Sequence, residues 1–397
     1  MTPFFLFLFF FVMNTKKNGE KEKKINPQSN NDSSLTKMIY IILLYVFYLF
    51  GGLYNEKLTK TEYEYKDINN QNKIFKFKYP SLSLCFPSIL SFVISSFMLK
   101  KMKNKYFSTN IESPISFHDK SIIGIMHIIS SFSAQTALIY LDFIVKTIGK
   151  SCKSASIMFI YFLNTIPFCN SLLKKLLNNK KSNEDKKDKI LIKDVIKVLM
   201  TTTSVILFNL SSDSKNNSKK NEQSSSYFGI TILLISLFTD GLLSLKENMI
   251  KSNITNDKKY EGYNNLLSWE YMNIFSFFTF SFSFCQILFK IFFGDYGQIF
   301  KIIFGNKILM KDLASYAVFD VLGQSVLYIF LGKYGPLALS MVTSVRKILS
   351  ISISILYFGK SISFYQSISL FLASSIIFWE IYEKGNKNKI TKSKKIE

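Results

Sequence analysis

The single arginine of this 397-residue chain lies inside an apolar stretch that is long enough to cross a membrane. Residues 335–359 form that stretch, with Arg346 and Lys347 at its centre and Thr343 one turn earlier. A cation at the middle of a membrane helix costs roughly 2.5–3.5 kcal/mol, and such charges usually face a wet cavity. Arginine offers a phosphate two parallel donors, and lysine offers a mobile point charge. These residues therefore predict a site for a phosphate-bearing anion. The alternative interpretation is a pair of cations that extend to the membrane surface.

A second cationic pair, Lys150 and Lys153, lies near the predicted start of another apolar stretch, residues 148–172. The two lysines are three residues apart and so share one helix face, and the amino end of a helix favours anions. The surrounding GKSCKS resembles the end of a phosphate loop. Residue 144 is isoleucine where that motif needs glycine, and no strand precedes it, which excludes an NTPase motif. The alternative is two lysines at headgroup depth.

Two further apolar stretches carry polar residues that could hydrogen-bond a base or a sugar. Gln135 and Tyr140 lie in residues 121–141, and Asp320 and Gln324 lie in residues 313–331. Polar side chains also join membrane helices to one another, and the sequence leaves both interpretations open for each of these residues.

Composition excludes several classes of protein. The chain is 48% hydrophobic with a net charge of +23, and its lysines occur in blocks between long apolar runs. That pattern is typical of a polytopic membrane protein and not of a soluble nucleic-acid binder. Two histidines and four cysteines without metal-ligand spacing predict no metal, no cofactor and no disulfide framework. An embedded transferase would need paired carboxylates or a metal motif, so the prediction is a non-enzyme. A membrane scaffold would have little use for buried bases.

Ten apolar segments predict an all-α fold of ten transmembrane helices, arranged as a 5+5 inverted repeat. Five spans per half make the two halves run in opposite directions, which is a common transporter design with the site at the repeat interface. The two cationic pairs then occupy equivalent positions, in spans four and nine. The predicted spans are 38–54, 79–99, 121–141, 148–172, 194–210, 227–250, 266–293, 313–331, 335–359 and 362–382.

The predicted organisation is a mostly disordered extension (1–37), a transporter domain (38–382, with halves 38–210 and 227–382) and a basic tail (383–397). The four main lysine blocks fall on one face of this topology, which places both termini in the cytosol. Residues 3–13 are apolar but short, and the sequence does not decide whether they form an extra membrane segment.

The printed sequence ends in Lys394-Lys395-Ile396-Glu397, which has the form of a dilysine retrieval signal. On a cytosolic tail, such a signal is bound by the coat that returns proteins to the endoplasmic reticulum. Because it is an address and not an anchor, we expect Lys394→Ser with Lys395→Ser to release the full chain to later compartments. Microscopy against reticulum and Golgi markers measures this. An unchanged reticular pattern in the double variant would show that these lysines are not the address.

Several of these segments together resemble the nucleotide-sugar transporter family of the drug/metabolite transporter superfamily. They are most similar to its endoplasmic-reticulum UDP-galactose/UDP-glucose branch, and the resemblance covers about residues 40–384. The segments that carry it are LFGGLYNEKLT, KSCKSASIM, SLFTDGLLSLKENM, VLGQSVLYIF and GPLALSMVTSVRKILSISISILYFGKSISFYQ.

The resemblance implies a ten-helix fold, exchange of a nucleotide sugar for a nucleoside monophosphate, and phosphate contacts from Arg346 and Lys347. Lys150 and Lys153 match the lysines of the family's fourth helix. Glu247-Asn248 departs from the family's usual Gln-Asp, and Glu247 is a candidate counter-ion for Lys246 or for the bases of the site.

The sequence therefore predicts a carrier that imports UDP-galactose or UDP-glucose into the endoplasmic reticulum in exchange for UMP, by alternating access. ATP/ADP exchange across the same membrane is the alternative function, and the Golgi membrane is the alternative location. The expected partners are the nucleotide-sugar substrate, the counter-transported nucleotide and the retrieval coat. The oligomeric state is left open.

Overall fold

Eight helices and one two-stranded hairpin make up the described part of the chain. A computed structural model describes residues 34–66, 72–106, 113–150, 196, 199–200, 203–208, 220–256, 263–293, 303–359 and 362–393. The elements are α1 (Ser34–Lys60), β1 (Glu62–Lys66), β2 (Asn72–Lys76), α2 (Pro80–Tyr106), α3 (Phe117–Tyr140), α4 (Phe143–Gly149), α5 (Lys220–Asn256), α6 (Asn264–Phe293), α7 (Lys307–Tyr357) and α8 (Phe364–Ser393). The chain divides into two compact units, Met1–Ile41 and Ile42–Glu397, and every contact described below lies within the second.

Within the described residues, seven helical segments are long and apolar enough to cross a membrane. They are Thr36–Lys60, Pro80–Lys103, Phe117–Tyr140, Tyr227–Ile254, Leu266–Phe293, Lys307–Tyr334 and Ala338–Tyr357. Each coincides with a predicted span, and the predicted tenth span coincides with a shorter apolar stretch, Phe364–Trp379. The prediction of an all-α polytopic membrane protein is confirmed. Predicted spans 148–172 and 194–210 fall mainly outside the described residues, so the count of ten and the inverted repeat stay predictions.

The longest helix, α7, contains two of these segments and must reverse direction between them. Lys57 of α1 forms an ion pair with Asp312 at 2.9 Å, and the adjacent Glu56 accepts a hydrogen bond from Ser354 at 2.6 Å. In a straight helix, residues 312 and 354 would be about 63 Å apart. The two halves therefore lie side by side. The reversal falls between the two spans, after Tyr334 and before Ala338.

The segment between the first two spans differs from the predicted polar loop. Helix α1 continues to Lys60, and β1 then pairs antiparallel with β2, with Tyr63 opposite Phe75. The alternation of side chains buries Tyr63 and Phe75 and exposes Glu64 between its neighbours, as expected for a half-buried strand. The hairpin packs on Leu58 and so covers one end of the helix bundle.

The bundle packs chiefly through two helix pairs, α3 with α5 and α2 with α6. Small residues let the backbones approach, as is usual between membrane helices. Ser236 of α5 donates to the carbonyl of Ser130 in α3 at 2.8 Å, for example. Where α3 meets α6, a Cβ built on Gly124 would lie only 2.5 Å from the ring of Phe278.

We expect Gly124→Ala to lower the thermal unfolding temperature of the purified protein by several degrees. The added methyl group forces Phe278 or the helices to move, and overpacking of this kind costs typically 1–3 kcal/mol. Gly305→Ala is the matched control, because a Cβ there meets nothing within 4 Å. Equal unfolding temperatures for the two variants would contradict the close approach of α3 and α6.

Candidate functional site

A cavity of about 350 Å³ lies between α2, α3, α6 and α7, and Tyr48 of α1 and Lys146 of α4 complete its wall. Its volume falls at the lower end of the range for small-molecule sites. Its polar and aromatic lining consists of Tyr48, Ser88, Ser91, His127, Ser131, Gln135, Lys146, Lys150, Phe275, Ser276, Thr279, Tyr316, Asp320, Gln324 and Tyr328.

Lys150 lies on the cavity wall and is paired with a carboxylate. Its Nζ is 3.0 Å from Asp240 of α5, and Asp240 also accepts a hydrogen bond from Ser130 of α3. In the described residues Lys150 caps the carboxyl end of α4, and the predicted span that begins beside it lies mainly outside the described residues. The carboxyl end of α4 favours a cation. The ion pair holds the ammonium group at the cavity, where a phosphate could compete with Asp240 for it.

Arg346 reaches the cavity through Tyr48. The guanidinium carbon lies 3.9 Å from the centre of the Tyr48 ring, a cation–π contact with a residue of the wall. Among the described residues, the buried Nε of Arg346 has no hydrogen-bond partner. Arg346 does not line the cavity itself. It interacts electrostatically with Asp320, which does line the cavity. The arginine is thus placed one side chain away from the space that a ligand would fill.

Lys347 brings the two predicted cationic regions into contact. Its Nζ donates to the backbone carbonyl of Lys150 at 2.5 Å, although the two residues are 197 positions apart. Thr343 does not line the cavity and donates to the carbonyl of Ser340 in its own helix at 3.1 Å. The other predicted phosphate contact, Lys153, lies outside the described residues, as do Lys394 and Lys395 of the tail.

The two predicted glutamines line the cavity and hold other lining residues in place. Gln135 donates to the hydroxyl of Tyr316 at 2.9 Å and accepts from Lys146 Nζ at 3.3 Å. Gln324 donates to Asp320 of its own helix at 2.8 Å and accepts from Ser91 of α2 at 3.3 Å. Their amide groups therefore link helices to one another and also face the cavity. The sequence offered these two roles as alternatives, and the structure combines them.

Tyr140 lies outside the cavity, contrary to the expectation from its span. It is 41% exposed and packs edge-to-face on Phe228 with ring centres 5.2 Å apart. Five helical residues separate it from Gln135, which turns it about 140° around α3 and away from the lining face. The structure gives it an aromatic packing role between α3 and α5.

Sequence reasoning did not single out Lys146 or Tyr48, which both line the cavity. For Lys146 a signal existed, since it precedes Lys150 by four residues and shares its helix face. Tyr48 carries no motif and is one of 21 tyrosines. The structure also pairs Lys246 with Asp119 of α3 at 2.8 Å, a partner that the sequence did not suggest.

A polar network links the helices at the end of the bundle that the β-hairpin covers. In α1, Asn55 donates to the lining residue Gln135 at 3.4 Å, and one turn further on Lys60 pairs with Asp142. Beyond these, Tyr63 of the hairpin donates to Asp312 at 3.1 Å. Burial and the nearby Asp312 carboxylate raise the pKa of Tyr63 well above its ordinary value, so this phenol stays a donor. The network ties α1 to α7 and to the segment before α4.

Comparison with known proteins yields one family and several relatives. The family described as the UAA transporter family matches residues 186–384. A Dictyostelium discoideum protein named solute carrier family 35 member B1 is 24% identical over 94% of this chain and 84% of its own length. A Candida glabrata protein named UDP-galactose transporter homolog 1 is 30% identical over 42% of this chain and 49% of its own. A Saccharomyces cerevisiae protein of the same name is 26% identical over 40% of this chain and 47% of its own.

Proposed function

Because the chain belongs to the UAA transporter family of nucleotide-sugar transporters, we propose that it imports UDP-galactose or UDP-glucose into the endoplasmic reticulum lumen in exchange for UMP. Two relatives carry the name UDP-galactose transporter homolog 1, which makes UDP-galactose the first substrate to test. The resemblance to the reticulum branch supports the compartment. Microscopy of the full chain against reticulum and Golgi markers tests that compartment, and a Golgi pattern would overturn it.

The observation that carries the proposal is the composition of the cavity wall. Lys146 and Lys150 lie on it, Arg346 contacts it through Tyr48, and amide, hydroxyl and aromatic groups line the rest. Hydrogen bonds from a cation to a phosphate are among the stronger ones in proteins, at about 1.5–3 kcal/mol each. Stacking rings and amide groups suit a base and a sugar. A nucleotide sugar needs all of these groups together.

Transport by alternating access requires that the cavity open to each side of the membrane in turn. In the described conformation, the contacts of Asn55, Lys60 and Asp312 with their partners link the helices at the end of the bundle under the β-hairpin. With the amino terminus in the cytosol, this end faces the lumen. The ion pair of Lys60 with Asp142, in which each side chain is about a third exposed, can break and reform at modest cost because water replaces the partner. We assign the network the role of the luminal gate.

Reconstituted liposomes test the function. Vesicles loaded with UMP or with ADP are offered labelled UDP-galactose, UDP-glucose and ATP, and protein-free vesicles are the control. Uptake of a UDP-hexose that depends on internal UMP is the expected result. Uptake of ATP into ADP-loaded vesicles, without UDP-hexose uptake, would replace this function by adenine-nucleotide exchange. Absence of any nucleotide-dependent uptake would contradict the carrier function itself.

A further inference from the structure

Lys146 is the cavity cation whose contacts leave most of its bonding capacity unused. Its ammonium group donates to the neutral amide oxygen of Gln135 at 3.3 Å. Within the described parts of the chain, it forms no ion pair with a carboxylate, whereas Lys150 on the same wall pairs with Asp240 at 3.0 Å. An ammonium group has three donors, and burying it without an opposite charge is costly. A bound anion would supply both the acceptors and the charge.

The charge around the cavity also favours an anion. Four cationic side chains lie on its wall or contact that wall, namely Lys146, Lys150, Arg346 and Lys347. Against them, the described residues place three carboxylates: Asp320 on the wall, Asp240 on Lys150, and Glu247, which acts electrostatically on the lining residue Tyr328. Asp320 is also held by Gln324 at 2.8 Å, which limits its ability to move toward Lys146. The positive side chains still outnumber the carboxylates, which favours an anion in the cavity.

The two lysines lie at different levels along the cavity. Lys150 is tied through Asp240 to Ser130 of α3, and Lys146 is tied to Gln135 of the same helix. Five helical residues separate these two levels, which is about 7.5 Å along the axis. A single phosphate bonded at one level therefore leaves the other lysine largely unused, whereas a diphosphate group extends from one toward the other.

The two ends of the cavity are lined by different chemical groups, and this difference determines the orientation in which a nucleotide sugar binds. On the side of Lys150, the rings of His127 and Phe275 stack with centres 4.3 Å apart, and such rings suit a base. On the side of Lys146, Gln135 and Tyr316 present an amide and a phenol, which suit the hydroxyls of a sugar. A nucleotide sugar in this orientation has its sugar-bearing phosphate next to Lys146.

We propose that Lys146 binds the phosphate that carries the sugar and thereby sets the preference of the cavity for nucleoside diphosphates over nucleoside monophosphates. The inference rests on the proposed function, because it needs a nucleotide as the ligand. It also explains how one cavity serves both directions of exchange. The incoming nucleotide sugar engages both lysines, and the outgoing monophosphate engages Lys150 without Lys146 and is released more easily.

Binding to the purified full-length protein tests this role. Dissociation constants of UMP, UDP, AMP and ADP are measured for the wild type, Lys146→Gln and Lys146→Arg. Lys76→Gln is the control, since Lys76 lies on the hairpin and pairs with Glu62 at 2.7 Å, away from the cavity. For whichever base binds, the wild type should favour the diphosphate by at least about tenfold, the increment of one charge-assisted hydrogen bond.

Lys146→Gln should reduce this preference to below about threefold, with the monophosphate affinity nearly unchanged, and Lys146→Arg should retain it. Should the glutamine variant fail to fold, Lys146→Met repeats the measurement with a side chain of similar length. If Lys146→Gln keeps the wild-type preference, or loses affinity equally for monophosphate and diphosphate, the role of Lys146 is overturned while the proposed function stands. If the wild type binds neither the uridine nor the adenosine nucleotides, the proposed function and this inference are both overturned.

Discussion

Replacing Arg346 with alanine is expected to reduce UDP-galactose exchange in liposomes by at least about a hundredfold, while the protein still folds and inserts. Two parallel hydrogen bonds from a guanidinium group to a phosphate are each worth about 1.5–3 kcal/mol. Within the described parts of the chain, the Nε of Arg346 is buried without a hydrogen-bond partner, and its guanidinium group lies on Tyr48 of the cavity wall. A small rotation of the Tyr48 side chain would expose the guanidinium group of Arg346 to a ligand in the cavity.

Arg346→Lys separates geometry from charge. Lysine keeps the positive charge that interacts with Asp320 but cannot form a planar bidentate contact, so exchange should remain severely impaired. Lys307→Ala, at an exposed position in the first turn of α7, is the matched control and should transport normally. The thermal unfolding temperatures of all three variants exclude simple misfolding as the cause. Near-normal exchange by Arg346→Ala would show that the arginine does not act on the substrate.

Lys150→Ala should reduce exchange by about ten- to a hundredfold, because it removes the cation that the substrate phosphate would take over from Asp240. This variant also leaves the partly exposed Asp240 carboxylate without its ion-pair partner, which lowers the stability of the fold. Asp240→Asn alone frees Lys150, so the Michaelis constant for UDP-galactose should fall.

The double variant Lys150→Ala with Asp240→Asn distinguishes binding from folding. It removes both charges of the ion pair, so the thermal unfolding temperature should recover toward that of the wild type. Exchange should stay as low as in Lys150→Ala. Recovery of exchange together with stability would mean that the ion pair supports the fold only and that Lys150 does not contact the substrate.

The sequence predicted most of the membrane helices because hydropathy over about 20 residues is a strong signal. It ended the first span at residue 54, however, since Glu56 and the lysines after it read as a loop. In the structure Glu56 is fully buried within α1, where it pairs with Lys60 one turn later and accepts from Ser354. A hydrogen bond from a residue 298 positions away cannot be recognised from local composition.

The candidate site was predictable only in part, for a related reason. The cost of Arg346 and Lys347 within an apolar segment marks them without any knowledge of the fold. Whether a polar residue lines the cavity depends on its rotation around the helix, which separates Gln135 from Tyr140 in the same span. Lys146 lies in a short helix between spans, where a lysine is common and hydropathy gives no signal that distinguishes it. Its contact with Gln135 appears only when α3 and α4 are packed together.

The most direct test of the account is an experimental structure of the purified protein with UDP-galactose bound. If the cavity is the substrate site, the ligand density lies in the cavity between α2, α3, α6 and α7. The diphosphate is then within about 4 Å of the ammonium groups of Lys150 and Lys146. The uracil ring lies on the side of His127 and Phe275. Ligand bound elsewhere on the protein, or a diphosphate in the cavity without contact to either lysine, would contradict the account.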